Sequence, residues 1–582
     1  MSTIASVLSP ERRQADLERL ATEEFDVLVV GGGVTGAGAA LDAATRGLSV
    51  ALVEATDWAV GTSSRSSKLV HGGLRYLQML DFHLVREALR ERSILLGRVA
   101  PHLVRPLPVL YPLQRPFFER AYVGAGVALY DLLAFSTGTN RGLPWHRHLS
   151  RRRALEMAPG LRRDSLAGAV VYYDCQVDDA RYVVELVRTA ASYGAVPVSG
   201  TAVEGFLHGP KRVVGATLRD AETGRCFEVH ARVTILATGP WTEETEALAG
   251  KERAVRVRPS KGAHVVVPRD RFEAGCGIIL RTERSVLFVL PWGKRHWLIG
   301  TTDTDWPYSK RWPLATAADV AYILSEFNSV AEHPLAPNDV VGVYAGLRPL
   351  VAGQGVVRGP GEVSGEDTAR VSREHAVAEP APGLVAVSGG KYTTYRVMAA
   401  DAVDAAVREA GLHALACRTA RVPLLGARGL EQARARLAAL ASEHRLPPAS
   451  VEHLLDRYGS LAPEVASCVA SSPALGERLG ESDYLKAEVA YAVSHEGARH
   501  LDDVLSRRTR LAIEEPGGAA TSAREAAEVM AGLLGWDETA LEAELSRYLA
   551  GAKLVAAAAS EARDDAEAAR MAEAYGAPLE VP

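Results

Sequence analysis

The chain has no apolar run of roughly 18 residues or more, the length a membrane-spanning helix needs. Its nearest approach, Ala121 to Phe135 (AYVGAGVALYDLLAF), is too short and carries Asp131, so no spanning helix is expected. Cysteine is sparse: Cys175, Cys226, Cys276, Cys417 and Cys468 are odd in number, far apart and never in a C-x-x-C pair. That argues against a disulfide framework and a zinc site, leaves no metal site expected, and suits a reducing cytoplasm. An excess of one charge is lacking too. A net charge of −5 speaks against global nucleic-acid binding, so an anionic ligand must be met by local positive charge. The first residues, MSTIASVLSPERRQADLERLATEE, lack the apolar core of a signal peptide and read as a charged helical leader. No internal repeat is found. What remains is a composition of 47% hydrophobic and 24% charged residues, that of a soluble globular protein, with length enough for several domains.

Against that background the stretch Phe25 to Tyr76 stands out. Phe25, Val27, Leu28, Val29 and Val30 predict a strand buried on both faces. Gly31, Gly33 and Gly36 follow in the G-x-G-x-x-G spacing of a dinucleotide fingerprint. Gly31 permits the tight turn, Gly33 lets a pyrophosphate approach the backbone, and Gly36 lets the next helix pack closely. That helix is predicted over about Val34 to Arg46, stopped at Gly47, with its N-terminal N–H groups and dipole facing the phosphates. A second strand, Val50 to Val53, ends at Glu54, whose carboxylate is placed to accept ribose hydroxyls. Strand, glycines, helix, strand and acid in register outweigh an ordinary glycine-rich turn. The fingerprint leaves nicotinamide and flavin both open.

The next run, TSSRSSKLVHGGLRY, offers Thr62, Ser63, Ser64, Ser66 and Ser67 as hydroxyls or turn N–H groups for a phosphate. Gly72 and Gly73 allow close backbone approach to a flat ring. A polar surface loop is the neutral alternative. SSKLVHGGLRYL resembles the signature of flavin-dependent glycerol-3-phosphate dehydrogenases, within the wider glycine-oxidase and D-amino-acid-oxidase superfamily. YDCQVDDARYV (173–183) and EVAYAVSHEGARHLDDVLSRRTRLA (488–512) continue the resemblance, which covers nearly the whole chain apart from the leader and the Ala-rich tail. It implies FAD as the cofactor.

Along the chain, helices are predicted over about Phe82 to Val99 and, strongly apolar, Phe117 to Ser136. Arg141, His146, Arg147, His148, Arg151, Arg152 and Arg153 follow the second. An apolar helix beside cations suits an anionic lipid surface; a buried helix and a solvated loop are the alternative. A hairpin through Lys211–Val214 and Gly224–Val229 leads into a buried strand, Val233 to Leu236, ending in Ala237, Thr238 and Gly239. By the resemblance this A-T-G strand returns beside the first strand and passes under FAD. Short alternating strands from Arg256 to Trp306 predict a mostly antiparallel substrate-side sheet. Leu384 to Val387 is a buried strand leading through Gly389 and Gly390 into a helix that, by the resemblance, points its N-terminus at the flavin ring. After about Arg418 strand signals fade and helical spacing takes over.

The expected fold class is therefore α/β, a two-dinucleotide-binding-type FAD fold with an inserted antiparallel-sheet substrate domain and a C-terminal all-helical domain. The FAD-binding domain is expected to be discontinuous (22–100, 168–250 and 340–412), with a substrate or cap domain at 101–167 and 251–339. The helical domain is expected at 419–550, and the Ala/Glu-rich tail, 553–582, as one solvated helix and a loose end.

The resemblance implies a small phosphate ester with a secondary alcohol as substrate, sn-glycerol 3-phosphate, oxidised to dihydroxyacetone phosphate. Such a reaction needs cations for the dianion, a base for the hydroxyl proton and the flavin as hydride acceptor. Arg75, Lys261, Arg348 and Lys391 are the candidate cations, each also readable as a structural charge. Arg348 is preferred, since an arginine fork takes phosphate oxygens bidentately and the superfamily uses such an arginine above the flavin. Lys391 is expected at the flavin edge, where positive charge stabilises the reduced anion. His71 and His264 compete for the base; His264 is preferred, with His71 orienting the flavin. Tyr76 and Thr393 are candidate hydroxyl donors to the phosphate, with packing the alternative for Tyr76. The glycines and hydroxyls above, with Glu54, Ala237, Gly239, Gly389, Gly390 and Lys391, are the expected cofactor contacts. Electrons are expected to pass to a membrane quinone at the inner face of the cell membrane; a homodimer is left open, and nucleic acid is not expected. Oxygen as acceptor and amine oxidation stay open, and so does a reading of another class, a flavin-bound, membrane-docked redox sensor without catalysis.

Overall fold

The apolar run ahead of the glycines folds as Glu24–Val30, in which Val27, Leu28 and Val29 are wholly buried. On one side it pairs with Val50–Val53 and, through that, with Val196–Val198; on the other with Cys226–Leu236 and then Leu384–Gly389. All four pairings are parallel. The computed structural model describes residues 4–115, 117–138, 143–250, 254–282, 286–351 and 374–576. Arg141, residues 577–582 of the tail and the side chain of Arg75 lie outside the described residues. Among the described residues this sheet has eight strands and a second sheet has ten.

The helix after the glycines, Val34–Thr45, lies buried between Asp179–Ser192 and Tyr395–Ala410. Its small side chains permit that depth: a Cβ at Gly38 would stand 2.7 Å from the Tyr395 ring. The expected hairpin and following strand are corrected by Cys226–Leu236, a single strand of 11 residues. Its first half pairs antiparallel with Val213–Asp220 and its second half parallel with Glu24–Val30. Alternating exposure gives way to continuous burial as the strand passes from the sheet edge to its centre, and that change of pattern reads as a break.

The second sheet is mostly antiparallel, as expected, although Gly277–Arg281 and Arg105–Leu113 pair in parallel. Two strands expected in the cofactor part belong here instead. Gly168–Gln176 pairs with Arg105–Leu113, and Gly342–Val351 pairs with Val257–Pro268. Their apolar patterns suit either sheet; only long-range pairing assigns them.

Beyond Arg418 the chain is helical, with Lys486–Glu496, Pro516–Leu534 and Glu538–Glu561 among its helices. The tail departs from the expected solvated helix. Glu538–Glu561 runs across the expected boundary, and Leu554, Ala558, Ala562 and Ala568 pack with Leu314. Alanines at helical spacing make a flat face that docks closely, a property that composition alone hides. Among the described residues no helix is long and apolar enough to cross a membrane.

Candidate active site

A cavity of about 1320 Å³ opens where the C-terminal ends of the parallel strands meet the second sheet and the helical region. Gly31, Gly33, Val34 and Thr35 line it, as do Glu54, Ala237, Gly239, Gly389 and Gly390. A Cβ at Gly31 would lie 2.6 Å from the Ala237 carbonyl oxygen, and one at Gly36 only 1.9 Å from that of Gly31. These two glycines hold turn, helix and neighbouring strand together. Ser63 Oγ accepts the Val34 N–H at 2.9 Å, and a Cβ at Gly33 would stand 3.1 Å from that oxygen. The Glu54 carboxylate accepts the N–H of Gly32 at 2.7 Å and of Thr56 at 3.0 Å. Desolvation raises its pKa above the ordinary carboxylate value against the pull of both N–H groups. A glycine cradle, a helix N-terminus and a deep carboxylate on one wall form the donor and acceptor set that a dinucleotide requires.

The hydroxyl-rich run forms the adjoining wall. Thr62, Ser63, Ser64 and Ser67 line the cavity, and the Thr62 hydroxyl donates to the Leu347 carbonyl at 2.6 Å. Ser67 Oγ lies 2.9 Å from His264 Nε2. His264, on Val257–Pro268, is buried and stacks on the Tyr344 ring at a centroid distance of 4.7 Å. Burial first, then the Arg348 and Lys68 cations, hold its pKa well below the ordinary histidine value. The same surroundings favour the uncharged form of the ring.

His71 also lines the cavity, with its backbone N–H and carbonyl 3.1 and 3.2 Å from Thr393 Oγ1. The Thr393 hydroxyl thus fastens the chain at His71, a use the sequence reading did not foresee. Lys391 Nζ sits 3.6 Å from the Tyr76 ring centroid, a cation–π pair on the same wall. The Arg348 guanidinium is steadied by Ser260 Oγ (3.3 Å), Thr301 Oγ1 (3.0 Å), the Thr302 carbonyl (3.1 Å) and an ion pair with Asp303 (3.5 Å).

Other expected residues sit elsewhere. Lys261 does not line the cavity: it is fully buried and ion-paired with Asp319 and with Asp565 of the C-terminal helix Asp565–Gly576. A buried ammonium needs carboxylate partners more than a transient substrate can supply them. Gly72 and Gly73 let protein side chains approach the backbone closely. A Cβ at Gly72 would lie 2.6 Å from Leu89 and the Tyr130 hydroxyl, and one at Gly73 2.5 Å from the Tyr76 ring.

The sequence reading gave no role to Lys68, Asp179 or Arg510. Lys68 Nζ donates to Asp179 at 2.8 Å and to the Ser64 carbonyl at 2.6 Å, and burial lowers its pKa to about 8. Arg510, which lines the cavity, donates to both Asp178 and Asp179. All three stand in stretches the resemblance picks out, yet pairing across 331 residues leaves no local mark.

Residues 26–396 match the family described as FAD dependent oxidoreductase, and residues 417–541 that described as the C-terminal domain of alpha-glycerophosphate oxidase. The chain is 51% identical over 568 residues to glycerol-3-phosphate dehydrogenase 2 of Mycobacterium tuberculosis (strain ATCC 25618 / H37Rv), covering 97% of this chain and 94% of that one. It is 38% identical over 552 residues to the mitochondrial glycerol-3-phosphate dehydrogenase of Homo sapiens, covering 91% and 73%. The X-ray structure of the glycerol-3-phosphate dehydrogenase from Bacillus halodurans complexed with FAD superposes with a TM-score of 0.76 at 28% identity, over 96% of this chain and 99% of that one.

Proposed function

Because the chain belongs to the FAD-dependent glycerol-3-phosphate dehydrogenase family, we propose that it oxidises sn-glycerol 3-phosphate to dihydroxyacetone phosphate. The observation that carries this reading is the convergence on one cavity of His264, Arg348 and Lys391 with the Gly31–Gly36 cradle. The cradle and Glu54 fit the dinucleotide half of FAD, and Ala237, Gly239, Gly389, Gly390 and Lys391 border the rest of its place. When bound, FAD supplies the hydride acceptor.

His264 takes the proton of the secondary hydroxyl as the substrate carbon gives up its hydride. Ser67 Oγ, 2.9 Å from Nε2, fixes the orientation of the ring. Arg348, its fork already oriented by Ser260, Thr301 and Asp303, receives the phosphate, with Arg75 as the second cation. Lys391, seated on Tyr76, keeps a positive charge at the edge of the site. Thr393 keeps His71 in place. The cofactor-binding, substrate-side and C-terminal helical domains act as walls of this one site.

The test is anaerobic. Glycerol 3-phosphate bleaches the flavin absorbance of the purified yellow protein, while glycine at the same concentration leaves it unchanged. Bleaching by glycine alone would replace this reading with amine oxidation, and bleaching by neither with a redox sensor.

A membrane quinone is the proposed electron acceptor, reached by peripheral attachment at the inner face of the cell membrane. An apolar face supports it: on and beside helix Phe118–Ser136, Phe117, Phe118 and Phe135 are 86%, 78% and 64% exposed, and Leu80 is 72% exposed. Arg151, Arg152 and Arg153 are exposed as well, which suits anionic lipid. One observation favours oxygen instead, the match of residues 417–541 to a domain described from alpha-glycerophosphate oxidase. Hydrogen peroxide formed in air as fast as substrate is consumed selects that second reading.

A further inference from the structure

Ser67, the contact of His264, ends a tightly fastened loop. Asp179, the first residue of helix Asp179–Ser192, accepts the Ser66 N–H at 3.1 Å, the Ser66 hydroxyl at 2.7 Å and Lys68 Nζ at 2.8 Å. Lys68 Nζ reaches back to the Ser64 carbonyl at 2.6 Å, and the Lys68 N–H to Ser66 Oγ at 3.0 Å. Tyr344, whose ring lies on His264, donates its hydroxyl to the Ser66 carbonyl at 2.7 Å. Lys68 and Asp179 are fully buried, so each depends on its counter-charge.

A third group enters from the helical region. Arg510 donates to Asp179, to Asp178 at 2.6 Å and to the Ser64 carbonyl at 3.4 Å. Asp178 also meets Arg457 at 3.3 Å. Without Arg510, two adjacent carboxylates would face Lys68 and Arg457 alone. Lys68 would then be drawn toward the newly uncompensated charge, and the loop it fastens would follow. An arginine suits the place because its rigid fork spans both carboxylates and a carbonyl at once.

We propose that Arg510 is a positioning residue for the base: by tying Asp178 and Asp179 to the Ser64 carbonyl, it sets the loop so that Ser67 fixes the orientation of the His264 ring. The helical region thus completes the active site rather than merely covering it. The inference rests on His264 as the base.

The experiment is anaerobic stopped-flow reduction of the flavin by glycerol 3-phosphate in Arg510→Gln, Ser67→Ala and the double variant, with His264→Gln as reference and FAD content measured throughout. Arg510→Gln slows the limiting rate roughly 10- to 100-fold, the scale of a small misplacement, with FAD retained and half-saturating substrate little changed. The double variant is no slower than the slower single one, because both changes act along one path. In substrate-free protein, the ring-nitrogen NMR shifts of His264 move on Arg510→Gln as they do on Ser67→Ala. If Arg510→Gln does not fold, Arg510→Lys, which keeps the charge and loses the fork, is read in the same scheme. Losses that multiply in the double variant, unmoved His264 shifts, or a parental rate beside an impaired His264→Gln overturn the inference. A parental rate in His264→Gln overturns the base assignment itself.

Discussion

Two side chains divide the proposed chemistry, and their surroundings suit them to opposite tasks. His264 is stripped of water and faced by Arg348 and Lys68, so its uncharged form is favoured. His264→Ala should slow flavin reduction roughly 10²–10⁴-fold, the usual contribution of a placed acid–base group, with FAD content unchanged. A larger loss from His71→Ala at full FAD occupancy would transfer the role to His71. Arg348 keeps its charge and spends part of its fork on Ser260, Thr301 and Asp303, so it meets a ligand already oriented. Arg348→Ala should cost about 2–5 kcal/mol in binding the dianion, or roughly 30- to 4,000-fold in kcat/KM for glycerol 3-phosphate. The slow oxidation of unphosphorylated glycerol should hardly change. Equal losses with both alcohols would place the phosphate elsewhere.

Among the elements, the turn after helix Phe82–Ile94 carries His102 into the seam with the helical region, where a Cβ at Gly426 would lie 2.8 Å from its Nε2. Desolvation lowers the His102 pKa to about 3, far under its unfolded value. The folded state thus refuses a proton that the unfolded chain accepts. Its contribution is complete above about pH 6.5 and is lost as pH falls toward the folded value, by about 2 kcal/mol at pH 5. The urea midpoint of His102→Leu should therefore drop less between pH 7.5 and pH 5 than that of the parent; equal drops would remove His102 as a cause. Helix Phe118–Ser136 makes a separate claim, since its outward phenylalanines have no reason to face water in an isolated protein. Replacing Arg151, Arg152 and Arg153 by Glu should release the protein from anionic vesicles while preserving activity toward a soluble dye. Co-sedimentation of both forms to the same extent would count against this face.

Over the whole molecule, buried charges join parts that the chain order separates. Asp57 receives Arg508 at 2.6 and 2.7 Å, Arg181 is paired with Glu496, and Lys261 brings Asp565 of the tail onto the second sheet. Such pairs add little when complete but are costly to break, because one charge is left buried without its partner. Lys261→Met should lower unfolding stability by about 3–5 kcal/mol and leave half-saturating glycerol 3-phosphate unaltered. A raised KM with stability intact would return Lys261 to the substrate.

The features legible from chain order alone depend on near neighbours. The buried strand, the glycine spacing, the helix from Val34 and the acid at Glu54 lie within one short span, where the steric limit at Gly36 acts against the Gly31 carbonyl five residues away in the chain. The apolar helix at 118–136 was legible for the same reason. Tertiary structure alone decided which sheet received Gly168–Gln176 and Gly342–Val351, and that Lys261 answers Asp565 rather than a ligand. It alone brought Arg510 to Asp179 behind the proposed base. Strand partners are chosen by hydrogen-bond register, and buried ions by whichever opposite charge shares their dry space. Neither choice leaves a periodicity in the chain, because the groups that meet are set by packing over hundreds of residues.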